Sequence, residues 1–355
     1  MQTDFNRSVG AVLTQRQAEL AEAITVRHYE LKPELLDHYG ERGRKKCLQD
    51  AGYHLSYLAE AVGASRPSLF ADYVNWAKIM LGGRGIPESD LADNLVVVRD
   101  TLEKYLPPDE GTLAREYLDV GLEQVDRSPY GRRPRVPQRE PLSGLAGDYL
   151  NALLRGERSS ASRVVFDAVH SRDDVKNVYL NVFQTAQHEI GRLWQENRLT
   201  VAQEHYCTAA TQMIMSQLYP YIFSSEKVGR TMIAACVAGD LHEIGVRMVA
   251  DFFEMEGWDT FYLGANSPAF DVVKMIDERD ADLLMISATM TFHVRAVREL
   301  IAAVRRSHPD GKVKIMVGGY PFNVERELWR DVGADVYSSD ALEAVSMAAQ
   351  LAGGN

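Results

Sequence analysis

The sequence predicts a multidomain protein of α and α/β parts: an N-terminal all-α domain, a four-helix-bundle cap, and a C-terminal, doubly wound, parallel five-stranded Rossmann-like domain. Three observations predict it. Apolar residues recur at helical spacing on both sides of a proline- and arginine-rich break, "RSPYGRRPRVPQREPLS". That break holds four prolines and five arginines, and builds no core of its own. From Arg230 onward, short β-rich runs alternate with amphipathic stretches.

Each element follows in order. Residues 1–126 read as helix: "GYHLSYLAEAV" repeats apolar positions helically, and "PSLFADYVNWAKIML" begins with a proline suited to a first turn. "IPESDLADNLVVVRDTLEKYL" does the same and stops at Pro107-Pro108. Residues 127–143 are the linker. Residues 144–228 are helical again, with Thr200 placed to cap "VAQEHYCTAATQMIMSQLYPYI". Residues 229–355 alternate: "TMIAACV" then helix from Leu241, "DTFYL" then helix from Pro268, "ADLLMIS" then helix from His293. "VKIMVGG" then helix from Phe322 and "ADVYS" then helix from Ala341 complete the series.

The bulk numbers set limits. A chain of 355 residues, 46% hydrophobic and 25% charged, has room for two or three globular domains. A net charge of −11 repels phosphate backbones, so direct nucleic-acid binding is not expected. Cys47, Cys207 and Cys236 make neither a disulfide framework nor a zinc spacing, which fits a reducing compartment. No apolar run reaches the ~18–20 residues of a membrane span, and the N-terminus lacks a signal-peptide pattern. A cytoplasmic protein without membrane contact is expected.

"GDLHEIG" lies at the carboxyl end of the first predicted strand, where ligand chemistry concentrates in such sheets. Gly239 and Gly245 remain from a nucleotide-type loop, but His242 projects a side chain into the space. A neutral imidazole is a good ligand for cobalt, and Asp240 two residues earlier can accept the other ring N–H and fix the tautomer. A histidine merely capping the helix is the alternative on this pattern alone. "ISATM" adds Ser287 and Thr289 at the end of the third strand, and "VGGYP" adds Gly318 and Gly319 at the end of the fourth. Paired glycines there leave room for a bulky ligand close to the backbone.

Asp240, His242 and Gly245, then Ser287 and Thr289, then Gly318 and Gly319 together resemble the D-x-H-x-x-G, S-x-T/L and G-G signature of cobalamin-binding domains. The resemblance covers about 210 residues, the helical bundle included. It implies that His242 is the lower axial ligand of cobalt, supported by Asp240 and Ser287. It also implies that the displaced nucleotide tail runs past Ser287, Thr289 and the two glycines.

Function in such domains is decided on the upper face. "WQENRLTVAQEH" places Trp194 before the pair Glu204-His205. A buried tryptophan and a helix-capping pair would give the same text. The spacing resembles the adenosylcobalamin-dependent photoreceptors, which implies that Trp194, Glu204 and His205 enclose an adenosyl group lost on illumination. Gln195 departs from that family, where a histidine capable of binding cobalt follows the tryptophan; His188 is the substitute within reach. The first domain shows no recognition helix and resembles instead the N-terminal domain of photocobilins, which pair cobalamin with biliverdin. The resemblance implies a bilin site at His54, Tyr57, Tyr73 and Trp76, although aromatic residues at this spacing are usually core.

The expectation is a non-enzymatic light sensor that binds adenosylcobalamin, with biliverdin as second chromophore. Its signal would leave as a light-dependent change of homo-oligomer, or through a downstream signalling protein. The alternatives are a corrinoid methyl-carrier protein of a methyltransferase system, and a cobalamin sensor without photochemistry.

Overall fold

The structure, a computed structural model, describes residues 2–126, 144–223 and 225–353. The expected linker at 127–143 lies outside the described residues. The chain divides into two compact units, residues 1–131 and 132–355.

The first unit is all-α. Its helices are Gln2–Gln15, Gln17–Leu31, Glu34–Gly63, Pro67–Gly82, Glu88–Tyr105 and Pro108–Asp126. Pro67 opens its helix, and Arg66 before it stays out of the α region at φ −130° and ψ 84°. Gly40, at φ 61°, kinks the long third helix. Leu55, Leu58, Phe70, Val74, Leu95 and Leu118 fill the core without solvent exposure.

That core also encloses polar groups. The Tyr73 hydroxyl lies 2.8 Å from His54 Nδ1. Asn94 Nδ2 lies 2.9 Å from His28 Nδ1. The four residues expected to hold a bilin are here packed on one another. The Tyr57 and Tyr73 rings stack at 3.8 Å, and Trp76 stacks at 6.4 Å from Tyr73. An open cleft of about 590 Å³ in this unit is lined by other residues, among them Lys32, Asp37, Tyr39 and Asp90.

The second unit begins with the bundle: Gly144–Leu154, Arg158–Phe166, then Arg172–Val178 running through a wide turn at Tyr179–Phe183 into Gln184–Gln195, then Val201–Gln217. Thr200 caps the last of these as expected. Its hydroxyl accepts from Gln203 N–H while the Gln203 side chain accepts from Thr200 N–H. The sheet follows as β1 (Thr231–Val237), β2 (Asp259–Ser267), β3 (Leu283–Ser287), β4 (Lys314–Gly318) and β5 (Val336–Ser338). All are parallel, in the order β2-β1-β3-β4-β5. β3 is buried along its whole length and β1 beyond its first residue, as strands covered on both faces must be.

Two helix starts differ from expectation. The helix after β1 begins at Ile244, not Leu241, because Asp240 binds the His242 backbone and holds that stretch as a loop. The β4–β5 crossover is two short helices, Tyr320–Val324 and Leu328–Val332, in place of one starting at Phe322. Bundle and sheet share a core. Tyr149 and Phe183 join Phe252 and Phe253 in one buried cluster, and the Tyr179 hydroxyl donates to Asp251 at 2.7 Å.

Burial holds His54 down to about 4, against a smaller upward pull from Asn94; burial lowers His28 as well. A folded-state pKa below the unfolded one gives stability that is present above about pH 6.5 and lost as pH falls toward 4. For His54 the span from 6.5 to about 4 is worth roughly 3 kcal/mol. His54→Gln is therefore expected to lose less melting temperature than wild type between about pH 7 and pH 4.5. Equal losses in parallel thermal melts would mean that His54 is not held neutral by burial.

Candidate functional site

The site is built on the loop that leaves β1. In a β2-β1-β3 arrangement the crossovers diverge at β1, and the carboxyl edge there opens as a crevice. Gly239, at φ 87°, turns the chain and directs Asp240 inward.

Asp240 is fully buried. Its Oδ1 accepts from His242 N–H at 3.0 Å and from His242 Nδ1 at 2.8 Å. Its Oδ2 accepts from Thr289 N–H at 2.5 Å, while His293 Nδ1 stands 3.6 Å away. Burial alone would raise this carboxyl. The His242 ring, with support from His293 and the two backbone donors, outweighs burial and holds Asp240 well below the usual carboxylate range.

With Nδ1 tied to Asp240, His242 points Nε2 outward, and that atom has no partner among the described residues. The bond to Asp240 raises the imidazole pKa against the opposing effect of burial, and the Glu204 carboxylate adds a smaller upward pull. Glu204 lies in the first turn of the Val201–Gln217 helix, so that end of the bundle faces this loop.

The remaining expected residues divide. Ser287 is buried within the sheet register, beside Cys236 on one side and Gly318 on the other. It gives His242 and Asp240 no hydrogen bond among the described residues, contrary to expectation. The Thr289 backbone occupies that place, because Asp240 Oδ2 is turned toward the residue after the strand.

Gly318 and Gly319 are required by the chain itself. A Cβ at Gly319, whose φ is 102°, would fall 2.1 Å from the Ala288 carbonyl oxygen; one at Gly318 would meet Met285 at 2.9 Å. Gly245 is different: a Cβ there meets nothing within 4 Å, so the protein's own packing does not explain a glycine.

Glu204 and His205 pair with each other at 2.6 Å, and His205 is mostly exposed. Trp194, partly buried, sits at the last turn of Gln184–Gln195. Thr208 Oγ1 donates to Glu204 Oε1 at 2.9 Å and lies 3.3 Å from Gln187 Oε1. Gln187 Nε2 in turn reaches Thr211, which binds Tyr149. His188 is exposed on the same helix, and the surrounding protein lowers its pKa.

Three residues escaped the sequence reading. Asn266, at φ 51°, accepts from Gly239 N–H at 2.7 Å and donates its own N–H to the Asp240 carbonyl at 2.9 Å. His293 faces Asp240 from the opposite side. Glu243 joins the loop to β2 and to the bundle. In sequence, "ANSP" reads as a turn and Glu243 as an ordinary first-turn acid; their partners lie far along the chain.

An open parallel sheet, a helical bundle against it, and one fixed imidazole at the carboxyl edge of β1 define the class of domains that seat a large cofactor at the switch point. Comparison with known proteins gives the family. The model described as B12 binding domain matches residues 230–346, and a second B12 binding domain model matches residues 145–219. Dimethylamine corrinoid protein 3 of Methanosarcina acetivorans is 34% identical over 128 residues, 36% of this chain and 59% of the relative. Dimethylamine corrinoid protein 3 of Methanosarcina mazei is 30% identical over 169 residues, 46% of this chain and 98% of the relative. The solved monomethylamine corrinoid protein of Methanosarcina barkeri superposes with a TM-score of 0.52 at 21% identity, covering 58% of this chain and 98% of its own. The chain belongs to the cobalamin-binding corrinoid protein family.

The two kinds of glycine separate experimentally. Gly319→Ala is expected to cost more than about 2 kcal/mol, because backbone strain and the Ala288 contact coincide. Gly245→Ala is expected to be neutral or to add up to about 1 kcal/mol in the first helical turn. Thermal melts of the two variants check this; a large loss at Gly245 would overturn the assignment of open space.

Proposed function

We propose that residues 144–353 form a corrinoid-carrying module in which His242 Nε2 is the lower axial ligand of cobalt. The module would exchange a methyl group, held on the opposite face, with a methyltransferase partner. The observation that carries the first part is the Asp240–His242 pair, with one ring nitrogen engaged by a buried carboxylate and the other directed outward. Gly245 supports the fit, since its open space suits a broad ligand lying over the helix start. Support for methyl exchange comes from the relatives, which are named for a corrinoid and for dimethylamine.

Cobalt in a bound corrinoid supplies a centre that takes up and gives up a methyl group. The protein's own part is to hold and to shield. Asp240 keeps the proton on His242 Nδ1, so that Nε2 presents its lone pair. The carboxyl edge at Ser287, Thr289, Gly318 and Gly319 would take the displaced nucleotide tail. Trp194, Glu204 and His205 would face the upper side.

One observation favours a second reading. Glu204, His205, Thr208 and Gln187 make a polar row at the bundle's end. Such a row suits a hydroxyl-bearing group such as adenosyl better than a methyl. In that reading the chain is a light sensor that uses adenosylcobalamin and answers with altered self-assembly. A biliverdin site in the first unit has no comparable support, because His54, Tyr57 and Tyr73 are buried against one another.

Reconstitution with methylcobalamin and with adenosylcobalamin in the dark tests both. His242→Ala is expected to lose the histidine-ligated absorption spectrum, and Asp240→Asn to weaken cofactor retention about 10- to 100-fold. Unchanged spectra and retention would remove the axial-ligand assignment. A green-light pulse that shifts the elution volume of the adenosylcobalamin form, and fails to do so in Glu204→Gln, would replace the carrier reading with the sensor.

A further inference from the structure

Glu243 follows the proposed ligand directly and has no part in the reading above. Its carboxylate nonetheless accepts three hydrogen bonds. Oε2 accepts from the Tyr262 hydroxyl at 2.9 Å and from Ala265 N–H at 3.0 Å. Oε1 accepts from Gln212 Nε2 at 2.6 Å, and Gln212 belongs to the bundle helix Val201–Gln217. One side chain thus joins the His242 loop, β2 and the bundle.

β2 is shaped to receive it. Tyr262 pairs with Ala234 but Gly264 pairs with Ala235, so the register skips a residue at a bulge. Gly264 has φ 78°, and a Cβ there would stand 3.0 Å from Glu243 Oε2. The bulge turns the Ala265 N–H toward the carboxylate. The next residue, Asn266, holds Gly239 and Asp240, so the same stretch of β2 grips the loop at both ends.

We propose that Glu243 is a positioning residue: through Gln212 it latches the bundle to the loop carrying His242, so that the seating of the bundle and the orientation of His242 are coupled. The bundle then cannot swing away from the sheet without releasing one of the carboxylate's three anchors. The link to His242 as a ligand rests on the function proposed above; the latch itself does not.

The test uses the opposed roles of the two side chains. Gln212→Glu sets two carboxylates against each other and breaks the latch. Adding Glu243→Gln restores it: the oxygen of the introduced amide takes the Tyr262 and Ala265 donors, and the amide N–H donates to the new carboxylate on the bundle helix. In the full chain without cofactor, Gln212→Glu is expected to speed amide hydrogen exchange about tenfold in both the 239–243 loop and the 201–217 helix, and the double variant to return it to the wild-type rate. After reconstitution with methylcobalamin, the single variant is expected to show a mixture of histidine-ligated and unligated spectra, and the double variant the wild-type spectrum. Faster exchange confined to the helix, or no restoration in the double variant, would overturn the coupling. If wild type itself shows no histidine-ligated spectrum, the ligand assignment falls, and the exchange measurements alone decide the latch.

Discussion

The site depends on one buried negative charge. An ionised carboxylate withdrawn from water costs several kcal/mol unless donors surround it. Asp240 meets that demand with two backbone N–H groups and one imidazole N–H, and a second imidazole stands within electrostatic reach. These donors come from its own loop and from the end of β3, so satisfying the charge also joins β1 to β3 beyond the sheet. The same bonds keep residues 240–243 from continuing as helix and fix which nitrogen of His242 faces outward.

Rigidity then spreads from the loop. β2 departs from regular pairing so that Asn266 can hold Gly239 and Asp240 while Ala265 and Tyr262 hold Glu243. A histidine anchored in this way has little orientational entropy left to lose on meeting a ligand, which is how a preorganised site gains affinity. The bundle is tied to the same framework through Gln212 and through Tyr179, whose hydroxyl binds Asp251 inside the shared core.

Opposite the loop the chemistry changes character. Glu204, Thr208, Gln187 and Thr211 form a connected row of side-chain hydrogen bonds on the bundle. Polar groups linked in this way resist displacement by an apolar group and accept a polar one, because either choice must leave each donor and acceptor satisfied. In the function proposed above, the His242 loop would hold the cofactor and this row would meet the group it carries. The first unit stands apart from this logic: burial within a helical core lowers the pKa of His28 and of His54.

The sequence by itself determined the elements and the axis of the site. Periodicity separated helical from alternating regions, and "GDLHEIG" placed an aspartate and a histidine at a strand end, where local spacing alone brings their side chains together. Local signals of this kind survive folding because the partners are two residues apart. The tertiary structure decided what depends on distant pairing. Thr289, not Ser287, reaches Asp240, because the turn after β3 aims a backbone N–H that no residue code announces. The glycines at the end of β4 answer to Ala288, Met285 and Ser338 as much as to any ligand. Glu243 acquires its three anchors only when a bulged strand and a bundle helix, each well separated in sequence, converge on it. Spacing within one element is written in the chain; which elements meet is set by packing.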